Sequence, residues 1–248
     1  MEKIQTAVIL AGGKGTRFSE YTHTIPKPMI KAKGVPLLIH IMNIFKLQGI
    51  KKFIVLAGYK VEVIQDYFRS ENFTLENDFF YVKDGIKVQI LDTGLETQTG
   101  GRIKRAIKHI DEENFFLTYG DGVSNIELKE LYKFHFDNPT TATLTAVRPP
   151  ARFGSLDIGN NSLVKRFGEK NNSREGWING GFFILNKSIA SYISGDFIPL
   201  EKDPLVQLAN QNQLKAYMHS DYWRPIDTIR ELEIFEKELE NGAFHYYE

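Results

Sequence analysis

Short apolar runs alternate with longer amphipathic segments through the first 147 residues, and this alternation limits the folds available to the chain. The runs with the length and residue types of buried strands are Thr6–Ala11, Phe53–Ala57, Val88–Leu91, Phe115–Tyr119 and Ala142–Val147. The segments with apolar residues at helical spacing are Pro36–Gly49, Val61–Arg69, Gly101–Ile110 and Glu127–His135. Strands separated by helices form βαβ units, in which right-handed crossovers join parallel strands. We therefore predict an α/β fold with a Rossmann-like, mostly parallel mixed sheet flanked by helices.

The residues after 147 form shorter and more irregular segments. Strand-like pieces within Arg148–Lys170 are interrupted by Pro149-Pro150 and Asn160-Asn161. The later segments are a strand at Phe182–Leu185, helices at Lys187–Ile193 and Lys202–Gln211, and a C-terminal helix at Ile229–Leu239. Because no Ser- or Gly-rich linker separates the two parts, we expect one domain over residues 1–248. Its halves are 1–147 and a smaller lobe at 148–248 on the same sheet.

Composition excludes several classes of function. The chain has no cysteine, which removes disulfide scaffolds, cysteine-ligated zinc, iron–sulfur clusters and thiol nucleophiles. Its 31 basic and 31 acidic residues balance, so charge-driven binding of nucleic acid is not expected. No apolar stretch reaches the ~18–20 residues of a membrane span, and the run Ala7–Ala11 is too short for a secretory signal. We expect a cytoplasmic protein that binds neither nucleic acid nor a membrane.

The strongest local motif is Leu10-Ala-Gly-Gly-Lys-Gly-Thr-Arg17, directly after the first predicted strand. Glycines in such a turn let backbone N–H groups approach an anion, because no Cβ keeps the ligand away. Arg17 adds bidentate donors, and Lys27 adds a second cation on a segment stiffened by its flanking prolines. This combination is typical of a polyphosphate site; a glycine turn with two solvated cations is the alternative. The spacing matches neither a P-loop nor a dinucleotide fingerprint, and the serine-hydrolase and zincin motifs are absent.

Two aspartates complement that turn. Asp121 lies between two glycines at the end of a predicted strand, and Asp227 lies just before the C-terminal helix. Magnesium is usually held by one or two carboxylates together with substrate phosphates. The pair is therefore a candidate Mg²⁺ site, although Asp227 could instead cap the helix.

Other polar side chains suit a second substrate. Glu169 suits a hydroxyl group and Lys170 a phosphate, or the two form a surface ion pair. Asn179, which precedes two glycines, suits a further polar part of the ligand. The motif Thr99-Gly-Gly-Arg102 opens a helix, and an open helix N-terminus favours anions.

Together, these motifs resemble the sugar-1-phosphate nucleotidylyltransferases, whose first motif is L-A-G-G-x-G-T-R-L followed by P-K-P. The resemblance covers nearly the whole chain, and its later motifs are most similar to the cytidylyl branch of that family. Those motifs are Leu91–Gly94, Thr97–Arg102, Thr118–Val123, Pro149-Pro150 with Arg152–Gly154, Trp177–Phe183 and Trp223–Thr228. The chain departs from the pattern at Phe18, where the family has Leu, and at Asn171, where it has Pro. The segment between Phe68 and Val88 is also shorter than the pattern predicts.

The resemblance implies a nucleotidyltransferase fold, with a nucleotide-binding half at 1–147 and a sugar-phosphate-binding half at 148–248. The nucleotide-binding residues that it implies are Leu10, Ala11, Gly12, Gly13, Gly15, Thr16, Arg17, Lys27, Gly100, Arg102 and Gly120. The residues that it implies for the sugar phosphate are Tyr119, Glu169, Lys170, Asn179 and Gly180. By the same resemblance Asp121 and Asp227 hold Mg²⁺, and Arg17, Lys27 and Lys170 are the catalytic cations.

The reaction implied by the resemblance couples CTP to a sugar 1-phosphate, with glucose 1-phosphate the expected acceptor, and releases a CDP-sugar and pyrophosphate. The family also implies a homo-oligomer. Within this class, UTP or dTTP and another phosphorylated acceptor remain alternatives. From other classes, the alternatives are a non-catalytic nucleotide-sugar sensor and a nicotinamide oxidoreductase, although the latter lacks its glycine fingerprint.

Overall fold

The computed structural model describes residues 4–15, 18, 23–71, 73–76, 79–81, 85–149, 155–158, 162–168 and 176–246. In chain order, the strands β1 to β16 are Thr6–Leu10, Lys31–Ala32, Val35–Pro36, Lys52–Ala57, Thr74–Glu76, Phe79–Tyr81, Lys87–Asp92, Asn114–Tyr119, Gly122–Ser124, Ala142–Val147, Ser155–Ile158, Val164–Gly168, Ile178–Asn179, Phe183–Asn186, Leu214–His219 and Trp223–Pro225. The helices α1 to α6 are Leu37–Lys46, Val61–Ser70, Thr99–Ala106, Leu128–Asp137, Asp203–Asn210 and Ile229–Glu240. Single 3₁₀ segments are Lys27–Met29, Ile107–His109 and Lys187–Tyr192.

Ten of the described strands form one mixed sheet. Its order is β13-β10-β14-β8-β1-β4-β7-β6-β5, with β15 beside β10. The central strands β8, β1, β4 and β7 are parallel to one another. Strand β14 pairs antiparallel with β8, so strands from the second half of the chain continue the sheet of the first half. The predicted α/β architecture with a mostly parallel central sheet is confirmed.

The central strands are buried on both faces of the sheet. Ala7 and Ile9 of β1 pack into one apolar core, whereas Val8 and Leu10 pack into the other, because successive side chains of a strand point to opposite faces. Apolar residues of α1, α2, α4 and α6 lie in the first core, and those of α3 and α5 lie in the second. Burial on two sides explains why these strands are continuous apolar runs and not alternating patterns.

The structure corrects several predicted boundaries. Helix α1 begins after Pro36 and ends at Lys46, because the following turn carries Gly49 at a φ of +91°. The segment predicted as a helix at Lys187–Ile193 is a 3₁₀ segment. Strand β15 was not predicted, since its exposed edge position leaves it without a buried apolar run.

The strand order reverses at β1, which has β4 on one side and β8 on the other. In open α/β sheets, ligands bind beyond the carboxyl ends of the strands at such a reversal. The loops after β1 and β8 therefore form the expected binding edge. Within the ranges that the structure describes, no helix combines the length and apolarity needed to cross a bilayer.

Candidate active site

The carboxyl ends of β1 and β8 lie side by side, with Leu10 opposite Tyr119. This register places the glycine turn after β1 next to Gly120 and Asp121. A cavity of about 440 Å³ opens at this edge, within the range of roughly 300–1,000 Å³ found for small-molecule sites. The predicted site residues that line it are Leu10, Ala11, Gly12, Gly13, Gly15, Lys27, Arg102, Tyr119, Gly120 and Asp121.

The ammonium group of Lys27 lies between the two candidate metal carboxylates. Its Nζ donates to Asp121 Oδ2 at 2.7 Å and to Asp227 Oδ1 at 2.6 Å. Lys27 is only 8% exposed, in the 3₁₀ segment that follows Pro26. Side chains that are 94 and 200 positions away in sequence thus meet one cation.

A short antiparallel pair positions Asp227. Strand β16 pairs with β9 and places Pro225 opposite Gly122, while Ile226 N donates to Asp121 O at 2.7 Å. Thr228 is the N-cap of α6, and its side chain accepts from Glu231 N. The alternative that Asp227 caps the helix is therefore wrong, and its carboxylate contacts Lys27.

The donor set at this point fits Mg²⁺. Asp121 and Asp227 offer two carboxylates at the cavity edge, with a positive charge already placed between them. Among the described residues, no group of three acidic or histidine side chains is arranged to hold a metal ion. The pair of carboxylates by itself is a donor set that Mg²⁺ accepts, since Mg²⁺ usually keeps waters and takes substrate phosphates as its remaining ligands.

Arg102 lies beneath the glycine turn with its guanidinium largely surrounded by neutral acceptors. Nη1 donates to Ala57 O and Thr93 Oγ1, and Nη2 donates to Gly12 O and Leu95 O. Burial lowers the pKa of Arg102. In this arrangement Arg102 ties the turn to the ends of β4 and β7, and its predicted contact with the triphosphate stays a prediction.

The glycines of the turn serve two purposes. A Cβ at Gly12 would lie 2.1 Å from Arg102 Nη1, whereas a Cβ at Gly13 would meet nothing within 4 Å. The missing side chain at Gly12 thus makes room for Arg102, whereas at Gly13 it leaves open space beside the cavity. The predicted residue Gly100 is buried in the first turn of α3, where a Cβ would lie 2.5 Å from Ile198 O, and it does not line the cavity.

A hydrogen-bonded cluster surrounds the Tyr119 hydroxyl at the cavity wall. Tyr119 Oη donates to Glu201 Oε1 at 2.8 Å and accepts from Asn179 Nδ2 at 3.1 Å. Burial, with the nearby Glu201 carboxylate, raises the pKa of Tyr119 well above its ordinary value. Tyr119 is therefore a neutral hydrogen-bonding group and not a base. Sequence reasoning missed Glu201, whose only local sign is its position just before a helix.

The break between β13 and β14 shapes the wall beside this cluster. Gly181 and Phe182 both have positive φ angles, of +78° and +46°. Asn179 Oδ1 accepts from Gly181 N, and Trp223 Nε1 donates to Gly180 O at 2.8 Å. The predicted residues Asn179 and Gly180 thus lie next to Tyr119, although they do not line the cavity itself.

Four predicted residues lie outside the described ranges: Thr16, Arg17, Glu169 and Lys170. The roles predicted for them stay predictions. The segment 95–99 also lines the cavity, and of its residues only Thr99 was predicted as part of a possible anion site. Within this segment, Glu96 forms an ion pair with Lys14 at 3.0 Å.

Comparison with known proteins agrees with this geometry. Residues 6–241 match the family model described as nucleotidyl transferase. The chain is 42% identical, over 95% of its length and 96% of the relative, to glucose-1-phosphate cytidylyltransferase of Salmonella typhimurium. It is 40% identical, over 91% of its length and 92% of the relative, to the probable glucose-1-phosphate cytidylyltransferase of Bacillus subtilis.

A solved structure has the same fold. HddC from Yersinia pseudotuberculosis, complexed with GMP-PN, is 28% identical and superposes with a TM-score of 0.72, covering 95% of this chain and 100% of that one. The family match at residues 6–241 spans β1 to α6 and includes the glycine turn, Lys27 and the two aspartates. The chain belongs to the nucleotidyl transferase family.

Proposed function

We propose that this chain couples CTP to glucose 1-phosphate and releases CDP-glucose and pyrophosphate. The observation that carries the proposal is the convergence of Lys27, Asp121 and Asp227 beside the glycine turn. The supporting comparison is 42% identity to a protein named for this reaction over nearly the whole of both chains. A nucleotide-sugar sensor needs shape and hydrogen bonds, whereas this cluster concentrates charge where phosphates must react.

The two substrates have separate sides of the site. The nucleotide lies along the glycine turn, with the triphosphate near Lys27 and the predicted partners Thr16 and Arg17. The sugar 1-phosphate lies toward Tyr119, Asn179 and Gly180, with the predicted partners Glu169 and Lys170. Support for this division is that Lys27 contacts Asp121, whereas Asn179 contacts Tyr119.

The reaction exchanges one phosphoanhydride bond for another. A phosphate oxygen of the sugar 1-phosphate attacks the α-phosphorus of CTP. A new P–O bond forms as the bond from that phosphorus to the bridging oxygen breaks, and pyrophosphate leaves with the electron pair. Proximity and alignment of the two phosphates account for much of the rate in such a transfer.

Neutralisation of the negative charge on the phosphates accounts for the rest of the rate. Bound Mg²⁺, held by Asp121 and Asp227, would supply positive charge against the triphosphate. Lys27 supplies a second positive charge beside the same phosphates; its ammonium, which bonds both aspartates in this structure, turns toward the phosphates when the metal takes its place. Lys170 has the role of steering the attacking phosphate.

The reaction needs no general base. The second pKa of a phosphate monoester is near 6, so most of the nucleophile is already ionised at neutral pH. No histidine is among the described residues that line the cavity, and burial keeps the Tyr119 hydroxyl protonated.

A pyrophosphate-release assay tests the proposal. CTP, UTP, dTTP and GTP are each combined with a panel of sugar 1-phosphates, with and without Mg²⁺. We expect CTP with glucose 1-phosphate to give the highest kcat/KM, and no turnover without the metal. A different preferred pair would overturn the substrate assignment, and tight binding without turnover would identify a sensor.

We also propose that the enzyme is a cytoplasmic homo-oligomer. Support comes from the family resemblance and from exposed apolar side chains such as Phe197 and Met218, which are 75% and 65% exposed. Light scattering coupled to size-exclusion chromatography measures the assembly, and a monomer at micromolar concentration would contradict it.

A further inference from the structure

Glu201 is an exposed carboxylate held in one place by two hydroxyl groups of the cavity wall. Its Oε1 accepts from Tyr119 Oη at 2.8 Å, and its Oε2 accepts from Thr99 Oγ1 at 2.6 Å. Both donors line the cavity. They are 82 and 102 positions away in sequence, so these contacts come from the tertiary fold and not from a local turn.

The carboxylate sets the direction of the hydroxyl proton of Tyr119, and so leaves the Tyr119 oxygen to accept from Asn179. An ionised carboxylate only accepts hydrogen bonds, so Tyr119 must donate to Glu201 and its oxygen must accept from Asn179 Nδ2 at 3.1 Å. Asn179 Oδ1 then accepts from Gly181 N at 3.0 Å, which fixes the orientation of the amide. The second N–H of the Asn179 side-chain amide therefore points in one defined direction.

The second hydrogen bond of Glu201 leads to Thr99, next to the part of the cavity that we assign to the nucleotide. Thr99 Oγ1 donates to Glu201 and accepts from Leu200 N at 2.8 Å. Thr99 is the first residue of α3, directly after the cavity wall at 95–98. Glu201 therefore joins the segment that faces the nucleotide to the pair Tyr119–Asn179 that faces the sugar phosphate.

We infer that Glu201 is a positioning residue that orients Asn179 through Tyr119 for binding of the sugar 1-phosphate. The inference rests on the proposed function, and it adds a residue outside the motifs that define the site. The Thr99 hydroxyl has a second hydrogen bond, from Leu200 N, whereas among the described residues the proton of the Tyr119 hydroxyl has its acceptor in Glu201. The effect of losing the carboxylate should therefore fall mainly on the sugar phosphate.

Glu201→Gln tests this role with almost no change in shape. A glutamine cannot accept from both hydroxyl groups, and its amide oxygen is a weaker acceptor for Tyr119 than a charged carboxylate. We expect kcat/KM for the sugar 1-phosphate to fall about tenfold, mostly through KM. The affinity for CTP alone, measured by calorimetry, should change by less than about threefold because Thr99 keeps its bond from Leu200. Glu233→Gln, an exposed carboxylate on α6, is the matched control.

A double-mutant cycle with Tyr119→Phe tests whether Glu201 acts through Tyr119. Tyr119→Phe removes the hydroxyl that links the two residues, so Glu201→Gln should add little in that background. An equal effect in both backgrounds would overturn the inference and indicate direct contact between Glu201 and the substrate. Unchanged kinetics in Glu201→Gln, with or without a loss of melting temperature, would overturn it as well.

Assays of the wild type distinguish a failure of this inference from a failure of the proposed function. It is assayed with the substrate pair that it turns over fastest, so a different acceptor corrects the substrate and leaves the role of Glu201 testable. An inactive wild type overturns the proposed function and the inference together, whereas an active wild type with an unaffected Glu201→Gln overturns only the inference.

Discussion

At the scale of single residues, one ammonium group balances two carboxylates at the edge of the cavity. Lys27 contacts Asp121 and Asp227 at 2.7 and 2.6 Å and is almost fully buried. In this structure its charge is directed at the two carboxylates, beside the glycine turn where the phosphates are proposed to bind. The motif around Lys27 predicted a cation for phosphate but not this bridge.

Lys27→Ala should lower kcat by about 10²–10³-fold at saturating substrates, because it removes a positive charge from beside the reacting phosphates. Steady-state pyrophosphate release measures the loss. Lys31→Ala, an exposed lysine of β2, is the control and should leave kcat unchanged. A normal kcat in Lys27→Ala would rule out the role assigned to Lys27.

Gly12→Ala and Gly13→Ala should differ in stability although they are neighbours. The new Cβ at Gly12 would overlap the buried guanidinium of Arg102, and such overpacking costs about 1–3 kcal/mol. The Cβ at Gly13 would meet open space, so its free energy of unfolding should stay near that of the wild type. Urea denaturation measures both, and equal losses would contradict the contact between Gly12 and Arg102.

At the scale of elements, the register of the strands and the start of α6 bring the site residues together. The parallel pairing of β1 with β8 brings the glycine turn to Asp121, and the pairing of β9 with β16 brings Asp227 to the same place. Two adjacent residues at the start of α6 have different roles. Thr228 caps the helix, and Asp227 contacts Lys27.

Asp227→Asn and Thr228→Ala should separate those two roles. Thr228→Ala removes the cap and should lower the free energy of unfolding by about 1 kcal/mol, with kcat little changed. Asp227→Asn should weaken the Mg²⁺ dependence of turnover while the melting temperature stays close to that of the wild type. Calorimetric melting and Mg²⁺ titrations of the rate measure the two effects, and an early-melting, fully active Asp227→Asn would reverse the assignment.

At the scale of the whole molecule, several histidines are buried within the core and its edges. Burial lowers the pKa of His40, His135 and His219, and that of His135 falls to about 4. In the unfolded chain these groups take up protons near pH 6.5. Between that pH and their native pKa values the unfolded state binds more protons, so the free energy of unfolding decreases as the pH falls.

Part of this pH dependence can be assigned to His135. Urea denaturation at intervals from about pH 7.5 to 5.5 should show a steady loss of stability on acidification. His135→Asn keeps a polar partner for Thr143, which His135 contacts at 2.8 Å, and should make the loss smaller. Constant stability over this range would contradict the buried neutral histidines.

Much of the fold followed from local patterns. The strands at Ala142–Val147 and Phe115–Tyr119 and the turn after Leu10 were predicted within a residue or so, because side-chain period and glycine content act over a few positions. Strand β15 and the break at Gly181 were missed, because an exposed edge and a positive φ leave no apolar pattern.

The sequence alone therefore determined the α/β class, the order of the central elements, the glycine turn and the residue types of a polyphosphate site. The tertiary structure alone decided that Lys27 bridges Asp121 and Asp227, that Arg102 holds the turn from below, and that Glu201 joins Thr99 to Tyr119. The physical reason is the distance along the sequence over which each feature is determined. Periodicity and turn conformation depend on neighbouring residues, whereas these contacts join side chains that only the register of the sheet brings within hydrogen-bonding distance.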